Sequence, residues 1–228
     1  MFNRWFTRKS TLDPALMQRI AVWRARPAAP TDASFGASRF VVLDCETSGL
    51  DSRCERLLAL GAVGLAGLRI ALADSFDTVL RQAHASSRAN IVIHGIGETA
   101  QLDGEDPSPA LMRFLDFCGR SPLIAYHASF DEAFLARCID QHLGLRLRLP
   151  WLDLAAILPA LFEDRPNLPL DHWLLRFGIE VPTRHSALGD AFATAQLAQI
   201  GFHRAREQGI ESFAALAKLA RDARWLRH

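Results

Sequence analysis

Arg39-Phe-Val-Val-Leu-Asp-Cys-Glu-Thr-Ser-Gly-Leu-Asp51 is the stretch on which the reading of this chain turns. Phe40 to Leu43 is an unbroken apolar run with two β-branched residues, the pattern of a strand buried on both faces. Two carboxylates follow at once. Strand residues i and i+2 share a side, so Asp44 and Glu46 project together while Cys45 turns to the opposite face. Two strand rises separate their origins by about 6.5–7 Å, near enough for both to converge on one cation. Left uncompensated, two such acids repel and raise each other's pKa, and a metal ion is the natural relief. Thr47, Ser48 and Gly49 then turn the chain and leave short polar groups and backbone N–H groups beside the pair. By itself an Asp-x-Glu is most often a strand ending in an acidic loop. Residues further along decide.

A formal net charge of +1 over 228 residues leaves no global field, so any nucleic-acid surface has to be local. Hydrophobic content of 50% with 22% charged residues is that of an ordinary globular protein, long enough for one large domain and an appendage. Cys45, Cys54, Cys118 and Cys138 form no Cys-x-x-Cys pair and no zinc spacing, which fits buried thiols in a reducing compartment. No apolar run approaches the roughly 20 residues of a membrane span, and no signal-peptide core is evident. A cytoplasmic protein with no membrane partner is expected, although the basic, acid-free Met1 to Ser10 faintly resembles a transit peptide.

Beyond the first strand, Leu57 to Leu65 is a second apolar run. Arg69 to Gln82 is a third, set off by Gly67, and runs this close predict an antiparallel meander. Pro109 to Phe117 has helical spacing. Leu123 to Tyr126 is a compact buried strand leading into a helix from about Phe130 to His142. Asp153 to Phe162, Leu170 to Phe177, Ser186 to about Arg206 and Ile210 onward complete the helices. A meander followed by strands alternating with helices predicts a mixed α/β sheet flanked by helices. Upstream, Asp13 and Pro14 open a helix from Thr11 to Arg26. Its Leu16, Ile20 and Trp23 share a face that packs on the domain, the favoured reading, or on a partner protein. The basic residues Arg4, Arg8, Lys9, Arg19, Arg24 and Arg26 are a solvated face or phosphate contacts. Pro27 to Ser38 is rich in Pro, Ala and Ser and reads as a linker. Residues 1–38 are thus a basic helix plus linker, and 39–228 the main domain.

Asp131 stands where a buried strand turns into a helix, the junction at which open α/β sheets place their chemistry, though a helix-opening acid is also a simple cap. Glu132 beside it lies on the more exposed side. Ser186 is a good N-cap, which puts His185 just outside the long helix and Asp190 in its first turns, facing the same mouth.

Taken in order, Asp44-x-Glu46-Thr-Ser-Gly-Leu, then Ala-Ser-Phe-Asp131, then His185-Ser-Ala-Leu-Gly-Asp190-Ala resemble the DEDDh 3′–5′ exonucleases. These are RNase H-like-fold enzymes typified by the proofreading epsilon subunit of bacterial DNA polymerase III. The resemblance runs from about Phe40 to about Ile200, and Ile93-His94-Gly95-Ile96 matches a further segment of the family. The sibling class with a tyrosine four residues before the last acid is excluded, because Ser186 stands there. The resemblance implies a five-stranded mixed sheet, three antiparallel meander strands plus parallel strands. It implies hydrolysis of phosphodiester bonds from the 3′ end of single-stranded or frayed DNA, releasing nucleoside 5′-monophosphates. It further implies two divalent cations, Mg²⁺ or Mn²⁺, which an all-oxygen set of acids suits better than zinc. In that scheme Asp44 bridges both ions, Glu46 and Asp190 complete the first, and Asp131 holds the second largely through water. His185 is the general base, mostly neutral at pH 7–8.

By the same resemblance, backbone groups of Thr47, Ser48, Gly49 and Leu50 grip the terminal nucleotide, and His94 and Phe130 contact base or sugar. Phe130 is equally a core residue by its own pattern. Where the family has His-Asn before Ala-x-Phe-Asp, this chain has Tyr126-His127, positions that support the scissile phosphate, so substrate preference or rate is affected more than the reaction. Cys45 occupies a variable position and is expected to be neutral. The residues after Asp190 read as helix without a clamp-binding segment, which points to a stand-alone exonuclease, or one recruited through its first helix, in DNA repair or replication-linked processing. An exoribonuclease, a catalytically weak nucleic-acid-binding module and an interaction protein acting through Leu16, Ile20 and Trp23 are the alternatives. Monomer and homodimer both stay open.

Overall fold

The computed structural model describes residues 12–181 and 186–225. The opening strand is β1 (Arg39–Thr47), and Phe40 to Leu43 are all 1% exposed or less because helices cover both its faces. β2 (Leu57–Ala66) pairs antiparallel with β1, and β3 (Arg69–Val79) antiparallel with β2, which is the expected meander. β4 (Leu123–Ala125) and β5 (Trp151–Asp153) add in parallel on the other side, so the order is β3-β2-β1-β4-β5. The predicted mixed five-stranded sheet is what forms. β5 could not be located beforehand, since three residues carry no readable alternation and only pairing with β4 defines them.

The helices are α1 (Pro14–Ala25), α2 (Arg88–His94), α3 (Glu98–Leu102), α4 (Pro107–Cys118) and α5 (Ala128–Leu143), then α6 (Leu154–Leu161), α7 (Leu170–Phe177), α8 (Ala187–Glu207) and α9 (Phe213–Trp225). Strand alternation sorts the core into two layers. Phe40, Val42, Val63 and Leu65 face residues of α6, α8 and α9. Val41, Leu43, Cys45 and Leu60 face α1, α4 and α5.

One glycine sets how α8 meets the sheet. Gly61 of β2 is the register partner of Asp44, and a Cβ on it would come within 2.1 Å of the backbone carbon of Ala187 and nitrogen of Leu188. The first turn of α8 therefore rests directly on strand backbone, a closeness no other residue permits.

The N-terminal helix belongs to the body of the molecule. Asp13 caps it by accepting from the Ala15 amide at 3.2 Å. Ile20 and Trp23 are 5% and 1% exposed, Leu16 packs beside them, and the Trp23 indole donates to the Leu115 carbonyl at 2.7 Å. Arg19 and Arg26 both reach Asp116 of α4, at 2.7 and 3.0 Å. The favoured reading of the Leu16, Ile20 and Trp23 face holds, since the domain's own helices bury it, and the alternative of a protein partner on that face is set aside. Nor does the presumed linker hang free. Phe35 is 1% exposed, stacks on Phe202 with centroids 4.5 Å apart, and donates its amide to the Glu211 carbonyl at 2.8 Å. Arg4, Arg8 and Lys9 lie outside the described residues. No described helix is long and apolar enough to cross a membrane.

Candidate active site

β1 delivers two carboxylates at the point where its cover ends. Leu43 is buried, whereas Asp44 and Glu46 are only half-buried. The register with β2 slips between Glu46 and Thr47, a bulge that breaks the ladder and turns the chain, as strands do beside reaction centres. α8 delivers the third. Ser186 occupies its N-cap position and its carbonyl accepts from the Asp190 amide at 2.8 Å, which sets Asp190 in the first turn, 5% exposed. Oxygens of Asp44, Glu46 and Asp190 lie within 4.8 Å of one another. Negative charges that close repel one another, and a hard divalent cation between them reverses the balance. An all-carboxylate set suits Mg²⁺ or Mn²⁺.

Asp131 sits differently. It lies in the first turn of α5, 3% exposed, and is not part of the 4.8 Å group. Burial pushes its pKa up to about 7, partly offset by the polar groups of Cys45 and of its own backbone, while the charge of Asp153 adds to the rise. Cys45 lies beside it. Its side chain is 7% exposed, and burial, with the nearby charges of Asp131 and Asp44, pushes its thiol pKa well up. The residue between the two strand carboxylates thus lies beside the acid on the far side. Glu132 is exposed, as anticipated. His185 lies outside the described residues.

The predicted substrate contacts divide. Thr47 donates its hydroxyl to the Gly49 carbonyl at 2.8 Å. Ser48 is buried, gives its hydroxyl to Glu55 at 2.5 Å and accepts from the Arg56 amide at 2.9 Å, so this loop offers backbone more than side chain. Asn90 of α2 donates to the Ser48 carbonyl, which holds that helix against the loop. Leu50 is 87% exposed at its tip.

His94 is a correction. It is 3% exposed, its Nδ1 accepts from the Ile96 amide at 3.0 Å and its Nε2 lies 3.1 Å from the Ser86 hydroxyl, so both ring nitrogens are engaged inside the protein. Burial lowers its pKa and keeps it neutral. The side chains that α2 turns outward are Val92 and Ile93, which sequence reasoning did not single out as contacts. The Ser87 cap and the left-handed Gly95 that bound this short helix were the available signal.

Phe130 is half-buried and packs on Phe134 with centroids 4.8 Å apart, which is the core role its pattern allowed. Tyr126 is corrected too: its hydroxyl donates to the Leu168 carbonyl and its ring packs against the core. His127 keeps an exposed ring. It stands at the N-cap of α5 with φ 61°, its amide donating to Asp153 at 3.0 Å. A non-glycine residue in that conformation is a small strain of the kind that marks working sites.

A mixed sheet with three carboxylates gathered at its central strand defines a nuclease scaffold of the RNase H-like type. A model of the RNase T exonuclease family matches residues 41–198, and the chain belongs to that family. DNA polymerase III PolC-type of Thermotoga maritima is 31% identical over 188 residues, which are 82% of this chain and 14% of that protein. A DNA polymerase III subunit epsilon-like protein of Rhodobacter capsulatus is 29% identical over 192 residues, again 82% of this chain and 27% of the relative. The chain thus spans well under a third of either relative. Among solved structures, E. coli exonuclease I in complex with a dT13 oligonucleotide superposes with a TM-score of 0.63 at 18% identity, covering 75% of this chain and 42% of that one. That likeness shows the fold.

Proposed function

We propose that the chain is a metal-dependent 3′–5′ exonuclease that shortens single-stranded or frayed DNA and releases nucleoside 5′-monophosphates. The observation that carries the reading is the group Asp44, Glu46 and Asp190, with oxygens within 4.8 Å, on the scaffold of an exonuclease family. Two Mg²⁺ or Mn²⁺ ions held there, with Asp131 serving the second, would supply Lewis acidity and a water ionised near neutral pH. The chain's own groups do the rest. His185 takes the proton of the attacking water, and its intrinsic pKa of about 6.5 leaves it free to accept at pH 7–8. Backbone of the Thr47 to Leu50 loop, pinned by Ser48 to Glu55 and by Asn90, presents a fixed surface to the terminal nucleotide. Leu50, Val92 and Ile93 offer apolar contact to bases without reading their identity.

DNA is preferred to RNA because the relatives are DNA polymerase III proteins and exonuclease I was solved on deoxyoligonucleotides. Repair or replication-linked processing in the cytoplasm is the setting we infer. End-labelled DNA and matched RNA, incubated with Mg²⁺, Mn²⁺ or EDTA, test the reading. A ladder growing from the 3′ end of DNA, absent in EDTA, is expected. Shortening from the 5′ end, faster turnover of RNA, or undiminished products with EDTA would overturn it.

A further inference from the structure

Four arginines surround one hollow at the far end of α5 from the carboxylates. Arg24 of α1, Arg120 ahead of β4, and Arg146 and Arg148 beyond α5 line a cavity of about 450 Å³ with Trp23 and Asp140 on its walls. Several arginines elsewhere are matched, Arg39 with Asp74, Arg81 with Asp106, Arg113 with Glu105, and Arg19 on α1 itself with Asp116. None of the four cavity arginines has a carboxylate within salt-bridge distance among the described residues. Arg24 reaches only the Gly144 carbonyl, at 3.4 Å. Arg120 lies 4.5 Å over the Trp23 ring, and its Nε is shut from solvent without a hydrogen-bond partner. Asp140 is the sole acid on the wall, which leaves a formal excess of three positive charges in a chain whose total is +1. Residues 1–11, 182–185 and 226–228 contain no Asp or Glu side chain that could balance it.

Guanidiniums held together without counter-charge repel, and an anion with several oxygens relieves them all at once. Phosphate matches their planar forks. We propose that this hollow is a second, non-catalytic phosphate site that holds the backbone of the strand whose 3′ end is cut, an inference that rests on the nuclease reading above. The run of α5 from Asp131 to Gly144 is about 20 Å at 1.5 Å per residue. That distance is at most about six nucleotide steps, the number for a strand stacked as in a duplex at 3.4 Å each, and fewer for an extended strand. A dinucleotide reaches the carboxylates only, and a 20-mer engages both sites.

The test is the double variant Arg146→Ala/Arg148→Ala, whose side chains are exposed and whose fold is checked by circular dichroism. With Mg²⁺, KM for a 20-nucleotide DNA should rise about tenfold at unchanged kcat, while a dinucleotide is cut as before. The dependence of log K on log salt should flatten by about 1.4, at 0.7 per lost phosphate contact on a single strand. An unchanged KM for the long strand, or an equal rise for both lengths, overturns the proposal. Fluorescence anisotropy of labelled 20-mer in EDTA needs no turnover. Weaker binding by the variant there upholds the arginine site even if no cleavage is ever seen, and equal binding defeats it while leaving the nuclease reading alone. Loss of 5′-AMP binding with intact 20-mer binding would reassign the hollow to free nucleotide. Loss of polyglutamate binding alone would reassign it to an acidic protein, whose apolar residues the neighbouring hollow between Leu12, Met17 and Leu143 would suit.

Discussion

On one face of β1, Asp44 and Glu46 meet Asp190 of α8 with oxygens within 4.8 Å. Behind the other face, Asp131 of α5 is 3% exposed and lies beside Cys45. The first arrangement concentrates negative charge where solvent and a cation can reach it. The second hides a single acid so thoroughly that burial favours its protonated form. The contrast teaches that the four acids named by their motifs do not have equal standing. Three gather as the chain folds, and the fourth stays buried apart from them.

The strongest blow to that picture is Asp44→Ala. It should abolish Mn²⁺ binding by calorimetry and cut turnover on the order of 10³-fold or more, several kcal/mol of transition-state stabilisation. Retained Mn²⁺ binding would break the comparison at its exposed side. His185→Ala should leave Mn²⁺ binding intact and lower kcat by about 10²–10⁴-fold, the usual worth of a general base. Full activity would remove that residue from the mechanism.

Gly61→Ala separates position from chemistry. The added methyl collides with Ala187 and Leu188 backbone, so α8 has to shift and carry Asp190 off. Overpacking of this kind costs about 1–3 kcal/mol in a denaturant melt. Metal affinity should fall although every acid is present. Normal affinity would show that α8 is free to adjust.

On the hidden side, stability of the EDTA-treated protein should depend on pH. The Asp131 pKa of about 7 exceeds the ordinary value of 3.8, so between those limits the folded state binds more protons than the unfolded one. Stability therefore falls as pH rises from about 4 to about 7, by up to a few kcal/mol, and is level above. Asp131→Asn should erase that slope. An unchanged slope would mean that Asp131 titrates like an exposed acid. Smallest of all, Cys45→Ser should keep most activity. Cys45→Ala should cost about 1 kcal/mol for the lost packing of a buried side chain, read by chemical denaturation.

Much of the site was legible beforehand for a local reason. Strand period puts Asp44 and Glu46 on one side, the Ser186 cap puts Asp190 in the first turn of α8, and both are properties of short segments. His94 was misread because a segment match says nothing of which way a side chain faces. Its burial depends on Ser86 and the Ile96 amide, contacts made only once α2 has docked. Tyr126 was misread for the same cause, its hydroxyl being claimed by Leu168 from a loop far along the chain. Leu16, Ile20 and Trp23 were legible as an apolar face but not for what covers it, and α4 and α5 do.

By itself the sequence determined where Asp44, Glu46, Asp131 and Asp190 stand on their strand and helices, and that a mixed sheet would carry them. Periodicity and capping act within a few residues and are written in the order of the chain. Only the tertiary structure decided that Gly61 lets α8 lie against strand backbone, that Asp131 is enclosed behind Cys45, and that four arginines from three separate segments share one cavity. Those outcomes are set by how closely distant segments can approach, which depends on the volume and charge of every residue between them.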